Sequence, residues 1–416
     1  MTAAVRALAL VDTDSYVKWG AALLAQLPDT WVREVAVVAT PGAPSESQLA
    51  AALAGSGFEG AARVLTLDSI AERIGLEQTD VVIVAMRGPA ASVVLRVLSG
   101  LPDRPVFVSG LPGISIPATW KALFYRAQAD LMVLHSKREI REFQVVAGKR
   151  GWTHRLALAT LPFIDRRPAA GGDDIVFAVQ SIVPPERPER ERVLDILVET
   201  ARRNPGHRVV IKVRALDGEQ QTHDEEHSYP DLLAQRVSPP PNLVVASGPM
   251  SAALDTALGL VTVSSTASIE AIARQVPLVV IDEFGISDGL INPVFVGSGL
   301  FGDGEAVASL AFGSPDPAWL DDNYFHAEED VDWMRALDDL LGQRASATLP
   351  DRPSLRGTLG GMLRRAWERK QAFGEHDRSA LGAVALVVGT PARAALLRAR
   401  RLRRRVGGRE HVWEQQ

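Results

Sequence analysis

The sequence contains no cysteine, no long apolar run and no excess of basic over acidic residues. The absence of cysteine excludes disulfides, thiolate metal ligands and a cysteine nucleophile. With 45 basic and 50 acidic residues the formal net charge is −5, which gives no general attraction to nucleic acid. The longest uncharged apolar run begins at Ala380 and ends near Gly389, far short of the roughly 20 residues that span a bilayer. We therefore expect a cytoplasmic protein that does not bind nucleic acid.

A chain of 416 residues exceeds one ordinary hydrophobic core, so two domains of about 160 to 200 residues are expected. In both halves, short β-branched runs alternate with helix-period segments, which predicts parallel, doubly wound sheets of the α/β class. Residues 160–174 are rich in proline, glycine and charge and form the best linker candidate. We predict two Rossmann-like domains, 1–165 and 166–345, followed by C-terminal helices and a basic tail, 346–416.

Polar or glycine-rich loops follow four predicted strands of the first half. The carboxyl ends of parallel strands share one edge of the sheet, where ligands of doubly wound folds bind, so the four loops are expected to line one rim. Ser136, with Glu139 three residues later, also predicts a capping box at the start of a helix. The residues that we expect to bind an acceptor on this rim are Asp12, Arg87, Gly110, Gly113 and Arg138.

Two side chains on the rim are candidates for a base that deprotonates an acceptor hydroxyl. Asp14 follows the first strand and would face the crevice, although Asp12 and Asp14 could equally cap the first helix. His135 is the other candidate, but a lone histidine at a strand end is more often a hydrogen-bonded structural residue. Gly110 and Gly113 either supply turn dihedrals or let a substrate approach the backbone closely.

The stretch from Leu260 to Asn292 has the pattern of strand, polar turn, helix and strand. Three hydroxyl residues, Ser264 to Thr266, lie where the helix begins, and backbone amides at such a corner suit a phosphate. The alternative is that they only cap the helix. Glu270 lies about one turn after Thr266 on the same side and could accept hydrogen bonds from a ribose. A phosphate turn and a sugar-binding carboxylate together indicate a nucleotide site.

Lys212 and Arg214 lie two residues apart at the end of a predicted strand, so they share a face and could meet a pyrophosphate. Terminal basic residues on strands are also frequently only solvated. The polar segment that follows holds His223 and His227 among acidic residues, but the histidines lack the HExxH order of a zinc site. A solvated loop is favoured there, and no metal site is predicted.

Eight arginines lie between Arg393 and Arg409, directly after the apolar stretch that begins at Ala380. An apolar stretch beside a basic helix is typical of peripheral contact with an anionic membrane surface. The alternative is a tail helix packed on the protein with its arginines in solvent.

Two α/β domains joined by a linker, with a nucleotide-type turn in the second, resemble the GT-B glycosyltransferases. The turn Ser264-Ser265-Thr266, with Glu270 and the strand from Pro277, is similar to the serine-rich donor motif of three bacterial families: polysialyltransferases, capsule Kdo transferases and CDP-glycerol-type polymer transferases. Those families carry a K-x-H-P element before the motif; its counterpart here, Lys212-Val213-Arg214-Ala215, lacks the histidine and the proline. The run GLPGISIPATWKALFYRAQADLMVLHSKREIREF, from Gly110, also resembles a family of predicted glycosyltransferases.

The resemblance implies that the two domains face each other across a cleft. A nucleotide sugar would bind in the second domain, and a cell-envelope glycan or lipid-linked acceptor would enter from the first. A basic pair and helix amides can neutralise a leaving nucleotide without a metal, so neither metal nor cofactor is expected and the DxD spelling of Asp12-Thr13-Asp14 is coincidental. The implied roles are donor phosphate for Ser264, Ser265 and Thr266, ribose for Glu270, departing charge for Lys212 or Arg214, and base for Asp14 or His135.

Two other functions stay open, because one fold serves many functions. A nucleotide-sugar 2-epimerase or hydrolase of the same architecture would change the donor without any acceptor. A non-catalytic protein that keeps the fold would bind nucleotide without turnover, or not at all.

Overall fold

The structure, a computed structural model, describes residues 4–162, 164–180, 182–213, 227–355, 361–387 and 389–390. The predicted donor residue Arg214 and the arginine run 393–409 lie outside the described residues. Of the histidines discussed above, His223 also lies outside them, whereas His227 is described.

The first lobe is a seven-stranded parallel sheet in the order β3-β2-β1-β4-β5-β6-β7. Its strands are β1 (Arg6–Val11), β2 (Val32–Val38), β3 (Arg63–Leu65), β4 (Val81–Ala85), β5 (Val106–Gly110), β6 (Leu131–Leu134) and β7 (Leu156–Leu158). Its helices are α1 (Asp14–Ala25), α2 (Glu46–Leu53), α3 (Leu67–Leu76), α4 (Gly88–Leu98), α5 (Trp120–Tyr125) and α6 (Lys137–Gly148).

The second lobe is a six-stranded parallel sheet in the order β10-β9-β8-β11-β12-β13. Its strands are β8 (Asp174–Ala178), β9 (Val209–Lys212), β10 (Leu243–Ala246), β11 (Ala257–Thr262), β12 (Leu278–Ile281) and β13 (Phe301–Gly302). Its helices are α7 (Arg187–Arg203), α8 (Tyr229–Ala234), α9 (Met250–Asp255), α10 (Ala267–Ala273) and α11 (Gly304–Ala308). The helices α12 (Pro317–Asp322), α13 (Trp333–Ala345) and α14 (Gly361–Phe373) follow. The predicted α/β class with two parallel sheets and C-terminal helices is confirmed.

Helices cover both faces of the first sheet, which is why its strands are almost continuously apolar. Side chains alternate between the faces along each strand: Ala9 and Val11 pack in the core that includes α1, and Leu8 and Leu10 in the core that includes α3 and α4. This double burial fixes the strand register, so the residues that follow each strand are held at a defined edge of the sheet.

Helix α13 returns from the second half of the chain to the first lobe. Trp333, Leu337 and Leu340 lie on one helix face, are almost fully buried and pack in the same core as Trp19. Residues 333–345 fall within the predicted second domain, yet their buried side chains belong to the core of the first lobe. The predicted boundaries at 165 and 345 are otherwise untested and stay predictions.

Helix α14 also packs on the first lobe, where Phe373 is buried in the core beside α3 and α4. In the part of the chain that the structure describes, no helix has the length and apolar character needed to span a membrane.

Candidate active site

In each sheet the strand order reverses at one point, and at both points a side-chain pair joins the two diverging strands. The first sheet reverses between β1 and β4, and the second between β8 and β11. Asp12 follows β1 and bonds to Arg87 after β4, while Gln180 follows β8 and bonds to Ser264 after β11. Ligands of doubly wound sheets bind outside the carboxyl ends of the strands at this reversal. The two reversals therefore mark one crevice in each lobe.

The Asp12–Arg87 pair lies at the first crevice. Asp12 is fully buried, and its oxygens accept hydrogen bonds from the Arg87 backbone N–H at 3.0 Å and from Arg87 Nε at 3.1 Å. Burial raises the pKa of Asp12 above its usual value, against the opposing effect of Arg87. Because both carboxylate oxygens are buried and bonded to Arg87, Asp12 orients Arg87, and its predicted contact with an acceptor stays a prediction. The Arg87 side chain is 36% exposed, so this cation reaches the crevice.

A second arginine, Arg126, lies behind this pair and is 1% exposed. Its Nη2 donates to the Tyr16 hydroxyl at 2.7 Å and to the Met86 carbonyl at 3.0 Å, and its Nε donates to Ser109 Oγ at 3.2 Å. Burial raises the pKa of Tyr16, so the phenol stays neutral at ordinary pH. Neither Tyr16 nor Arg126 is singled out by the sequence: Tyr16 lies in no motif, and Arg126 is one of many residues in the run from Gly110 that resembles predicted glycosyltransferases.

Asp14 is the first residue of α1 and is partly exposed at the same rim. The preceding Thr13 makes no side-chain cap, and Ser15 Oγ lies 3.5 Å from the Asp14 carboxylate. Asp14 is therefore partly open to solvent at the rim, and its role as base stays a prediction.

His135, the other predicted base, is fully buried. Its Nε2 accepts a hydrogen bond from the Trp19 indole N–H at 2.7 Å, and its Nδ1 donates to the Ala159 carbonyl at 3.0 Å. Burial lowers its pKa to about 4, so the ring is neutral near pH 7. With both ring nitrogens occupied, His135 has no free atom for a substrate, and the contacts favour the structural interpretation over the catalytic one. Gly110 also has a packing role, because a Cβ there would lie 2.5 Å from the Trp19 ring.

At the second crevice, two of the three predicted phosphate-binding hydroxyls serve the turn itself. Ser264 Oγ lies 2.7 Å from Gln180 Oε1 and 2.6 Å from the Leu290 carbonyl oxygen, so its single proton is engaged. Ser265 Oγ accepts from the Ala267 backbone N–H at 3.3 Å. The next amides of α10 also have backbone acceptors within the turn. Ser265 therefore caps an amide of the turn, Ser264 ties the turn to Gln180 and Leu290, and few amides remain for a phosphate.

Thr266 differs from its neighbours, because its hydroxyl is not used as a cap and it lies against the opposite lobe. A Cβ on Gly113, in the loop after β5, would be 3.0 Å from Thr266 Oγ1. A predicted acceptor residue and a predicted donor residue thus meet between the two lobes. Glu270 lies one turn further along α10, is partly exposed, and its carboxylate bonds to none of the described residues.

Lys212, at the end of β9, is buried, and its Nζ donates to the carbonyl oxygens of Val213 at 2.9 Å and Gly248 at 2.6 Å. These contacts hold the loop after β10, so Lys212 is already engaged within its own lobe. The structure does not bring it together with Thr266 through any described contact. The partner proposed for it, Arg214, lies outside the described residues.

A buried carboxylate, Glu139, connects the two lobes. Its Oε1 accepts from the Ser115 backbone N–H at 3.0 Å and from the Tyr324 hydroxyl at 2.7 Å, and its Oε2 accepts from the His135 backbone N–H at 2.8 Å. Burial raises the pKa of Glu139, and burial together with Glu139 raises that of Tyr324. Ser136 caps α6 as predicted, but Glu139 reaches His135 instead of the Ser136 amide, so the capping box is only half formed.

Arg138, predicted to bind acceptor, bridges the lobes as well. Its guanidinium donates to the carbonyl oxygens of Val294 at 3.1 Å and Pro293 at 3.0 Å, and its Nε donates to Glu142. Arg138 therefore positions α6 against the second lobe. Among the described residues there is no group of three or more metal-ligating side chains, and metal independence stays a prediction.

The chain and its fold resemble known proteins. A family model described as "Putative glycosyltransferase (DUF6716)" matches residues 7–340. No curated protein sequence matches the chain.

Three solved structures have a similar fold. A "putative UDP-N-acetylglucosamine 2-epimerase" from Listeria monocytogenes has 12% identity and a TM-score of 0.54, covering 85% of this chain and 99% of its own. The Methanocaldococcus jannaschii UDP-GlcNAc 2-epimerase in complex with UDP-GlcNAc and UDP has 10% identity and a TM-score of 0.52, covering 80% and 100%. The Staphylococcus aureus MnaA–UDP structure has 12% identity and a TM-score of 0.51, covering 85% and 100%. At such identities the likeness shows the fold alone, and it confirms the two-lobed GT-B architecture. The finer resemblance to polysialyl-, Kdo and CDP-glycerol-type transferases stays a prediction.

Proposed function

This chain belongs to the family of putative glycosyltransferases whose model it matches, and on that premise we propose that it moves a sugar from a nucleotide-sugar donor to a cell-envelope glycan or lipid-linked acceptor. One observation carries the proposal: Gly113, in the loop after β5 of the first lobe, lies against Thr266, which follows β11 at the strand-order reversal of the second lobe. A donor in one crevice and an acceptor in the other would place their reacting atoms close together.

In the proposed reaction, the sugar nucleotide lies at the β11–α10 turn, with Thr266 bonding to a phosphate oxygen and Glu270 to ribose hydroxyls. Asp14 takes the proton of the acceptor hydroxyl, whose oxygen attacks the anomeric carbon of the sugar. The bond between that carbon and the donor phosphate breaks, and the nucleotide leaves with the electron pair. Asp14 is preferred over His135 as the base because Asp14 is partly exposed at the rim, whereas His135 is fully buried.

The first experiment is isothermal titration with UDP, GDP and CMP. UDP is the leading candidate, because the Staphylococcus and Methanocaldococcus structures of this fold hold it. Thr266→Val keeps the shape of the side chain and removes one hydrogen bond to a charged group, worth about 1.5 to 3 kcal/mol, so affinity should fall roughly tenfold or more. Thr153→Val, at an exposed threonine remote from the crevices, is the matched control and should leave affinity unchanged.

If the wild-type protein binds none of these nucleotides, it has no nucleotide-sugar donor and the proposal is wrong. The family and the fold identify neither the acceptor nor the reaction, so each needs its own test. Incubation of the bound UDP-sugar without acceptor distinguishes the classes: an unchanged donor supports a transferase, whereas isomerised or hydrolysed sugar identifies a 2-epimerase or a hydrolase.

We further propose that the C-terminal region contacts an anionic membrane at its cytoplasmic face. Leu381, Val384 and Val387 lie at three-residue spacing in helical residues 380–387 and are exposed, and the eight arginines follow directly in the sequence. Apolar side chains beside arginines suit a lipid interface.

Sedimentation with vesicles of phosphatidylglycerol and phosphatidylcholine tests this contact. Changing the three aliphatic residues to serine should release the protein from anionic vesicles, whereas Val237→Ser, at an exposed valine of the second lobe, should not. The contact would be contradicted if the wild type sediments equally with anionic and purely zwitterionic vesicles, or if it sediments with neither.

A further inference from the structure

We propose that the crevice between β1 and β4 accepts a negatively charged group of the acceptor, a carboxylate or a phosphate, through the outer edge of Arg87. The inference rests on the proposed function only in naming the bound group an acceptor. The binding site for the anion is defined by charges and contacts in the first lobe alone.

The charge balance at this crevice is positive. Arg87 and Arg126 each carry one positive charge, and Asp12 supplies at most one negative charge for both. Asp14, the other acidic residue on the rim, is partly exposed and forms no ion pair with either arginine in the described structure, so water and salt screen it. Arg87, Arg126 and Asp12 together therefore carry a net charge of at least +1.

Arg126 is the source of the excess. It is almost fully buried, and the hydrogen-bond partners of its guanidinium are carbonyl or hydroxyl oxygens of Ala122, Tyr16, Met86 and Ser109, all of them neutral. Removing an arginine from water without a paired carboxylate is unfavourable, because neutral acceptors replace hydration but do not neutralise the charge. The positive potential of Arg126 is consequently available to an anion that enters the crevice beside it.

Arg87 provides the atoms that such an anion would contact. Asp12 holds its Nε and backbone N–H, which fixes the plane of the guanidinium. Its Nη2 has only a long contact of 3.5 Å with Thr40 Oγ1, and its Nη1 bonds to no described residue. Gly42 leaves room for this arrangement, since a Cβ there would lie 2.3 Å from Nη2. A guanidinium oriented in this way, with its outer edge open, can bind a carboxylate or phosphate through two parallel hydrogen bonds.

The position of this cation agrees with the topology. Arg87 follows β4 and Asp12 follows β1, so the pair stands at the strand-order reversal where doubly wound sheets bind ligands. An ion pair at this position, with a second buried cation behind it, is better suited to an anionic acceptor than to a neutral sugar.

The test is isothermal titration of the full chain with three probes: glucuronate, glucose 1-phosphate and glucose. We expect the two anionic probes to bind at least tenfold more tightly than glucose, with affinity that falls as salt is added. Arg87→Gln should weaken both anions at least tenfold. Arg63→Gln removes the same charge at an exposed position on the edge strand β3 and should change neither.

Equal binding of glucuronate and glucose by the wild type, or anion binding that survives Arg87→Gln, would overturn the proposal. Displacement of both anions by UDP would also overturn it, because the site would then belong to the donor phosphate. Should UDP fail to bind while glucuronate binds through Arg87, the proposed function is lost and this inference stands. If Arg87→Gln does not fold with Asp12 left unpaired, Asp12→Asn combined with Arg87→Gln replaces it, since the amide pair keeps hydrogen bonding without charge.

Discussion

Tyr324→Phe is expected to destabilise the protein by about 2 kcal/mol although it removes a single oxygen atom. The tyrosine hydroxyl donates at 2.7 Å to the buried carboxylate of Glu139, and both residues are fully or almost fully buried. Hydrogen bonds to charged groups contribute about 1.5 to 3 kcal/mol, and phenylalanine fills the same volume, so no cavity term is added. The Ser115 N–H continues to satisfy the same carboxylate oxygen, which places the loss within this range.

Urea unfolding followed by tryptophan fluorescence measures this loss. The double-mutant cycle with Glu139→Ala is the control: once the carboxylate is absent, Tyr324→Phe should be almost neutral, which gives a coupling energy of at least 1.5 kcal/mol. Glu139→Ala alone should be worse than Tyr324→Phe, because it leaves three donors without their acceptor. A Tyr324→Phe variant as stable as the wild type, or one equally destabilising in both backgrounds, would refute the bond as a connection between the lobes.

Three further outcomes are expected. The pKa of His135 is about 4 in the folded protein against the usual 6.5, so the unfolded chain takes up the proton first as the pH falls. Up to about 3 kcal/mol of the unfolding free energy that is present above pH 6.5 should therefore be lost by pH 4. His135→Gln should flatten this pH dependence of the urea midpoint, and an unchanged slope in that variant would contradict the assignment. Gly113→Val should lower the free energy of unfolding by about 1 to 3 kcal/mol, because the added side chain overpacks against Thr266, and Thr266→Ala should recover most of this loss. Gly206→Val, at a glycine with open space around it, is the control, and a failure of Thr266→Ala to restore stability would argue against the contact. Trp333→Ala should lower the free energy of unfolding by about 3 to 5 kcal/mol and should speed amide hydrogen exchange in β1 but not in β8. If the substitution speeds exchange equally in both strands, α13 is not part of the first core.

Most of the fold follows from local patterns in the chain. Strands such as β4, whose five residues are all buried, and helices such as α7 have the apolar periodicity that predicts them. The strands β7 and β13, of three and two residues, are too short to show a clear apolar period of their own. The predicted domain range 166–345 includes α13, whose buried side chains belong to the first lobe, because a helical pattern does not say which sheet the helix covers.

The sequence predicts site residues only where a polar residue or a glycine comes shortly after a predicted strand. Arg87, Gly113 and Thr266 were found on that ground, and the structure brings Gly113 and Thr266 together. The bond between Glu139 and Tyr324 joins residues 185 positions apart, and no local pattern contains that information. For His135 the sequence allowed a base or a structural residue, and only its contacts with Trp19 and Ala159 distinguish them.

The return of α13 to the first lobe has a consequence for synthesis on the ribosome. The last strand of the first sheet ends at Leu158, but the helix that completes the core around Trp19 begins at Trp333, about 175 residues later. At typical elongation rates of about 5 to 20 residues per second, the ribosome needs roughly 9 to 35 s to make this interval. During this time the nascent sheet has an apolar face without its covering helix. A chaperone that shields this face would therefore be needed most while the second lobe is being translated.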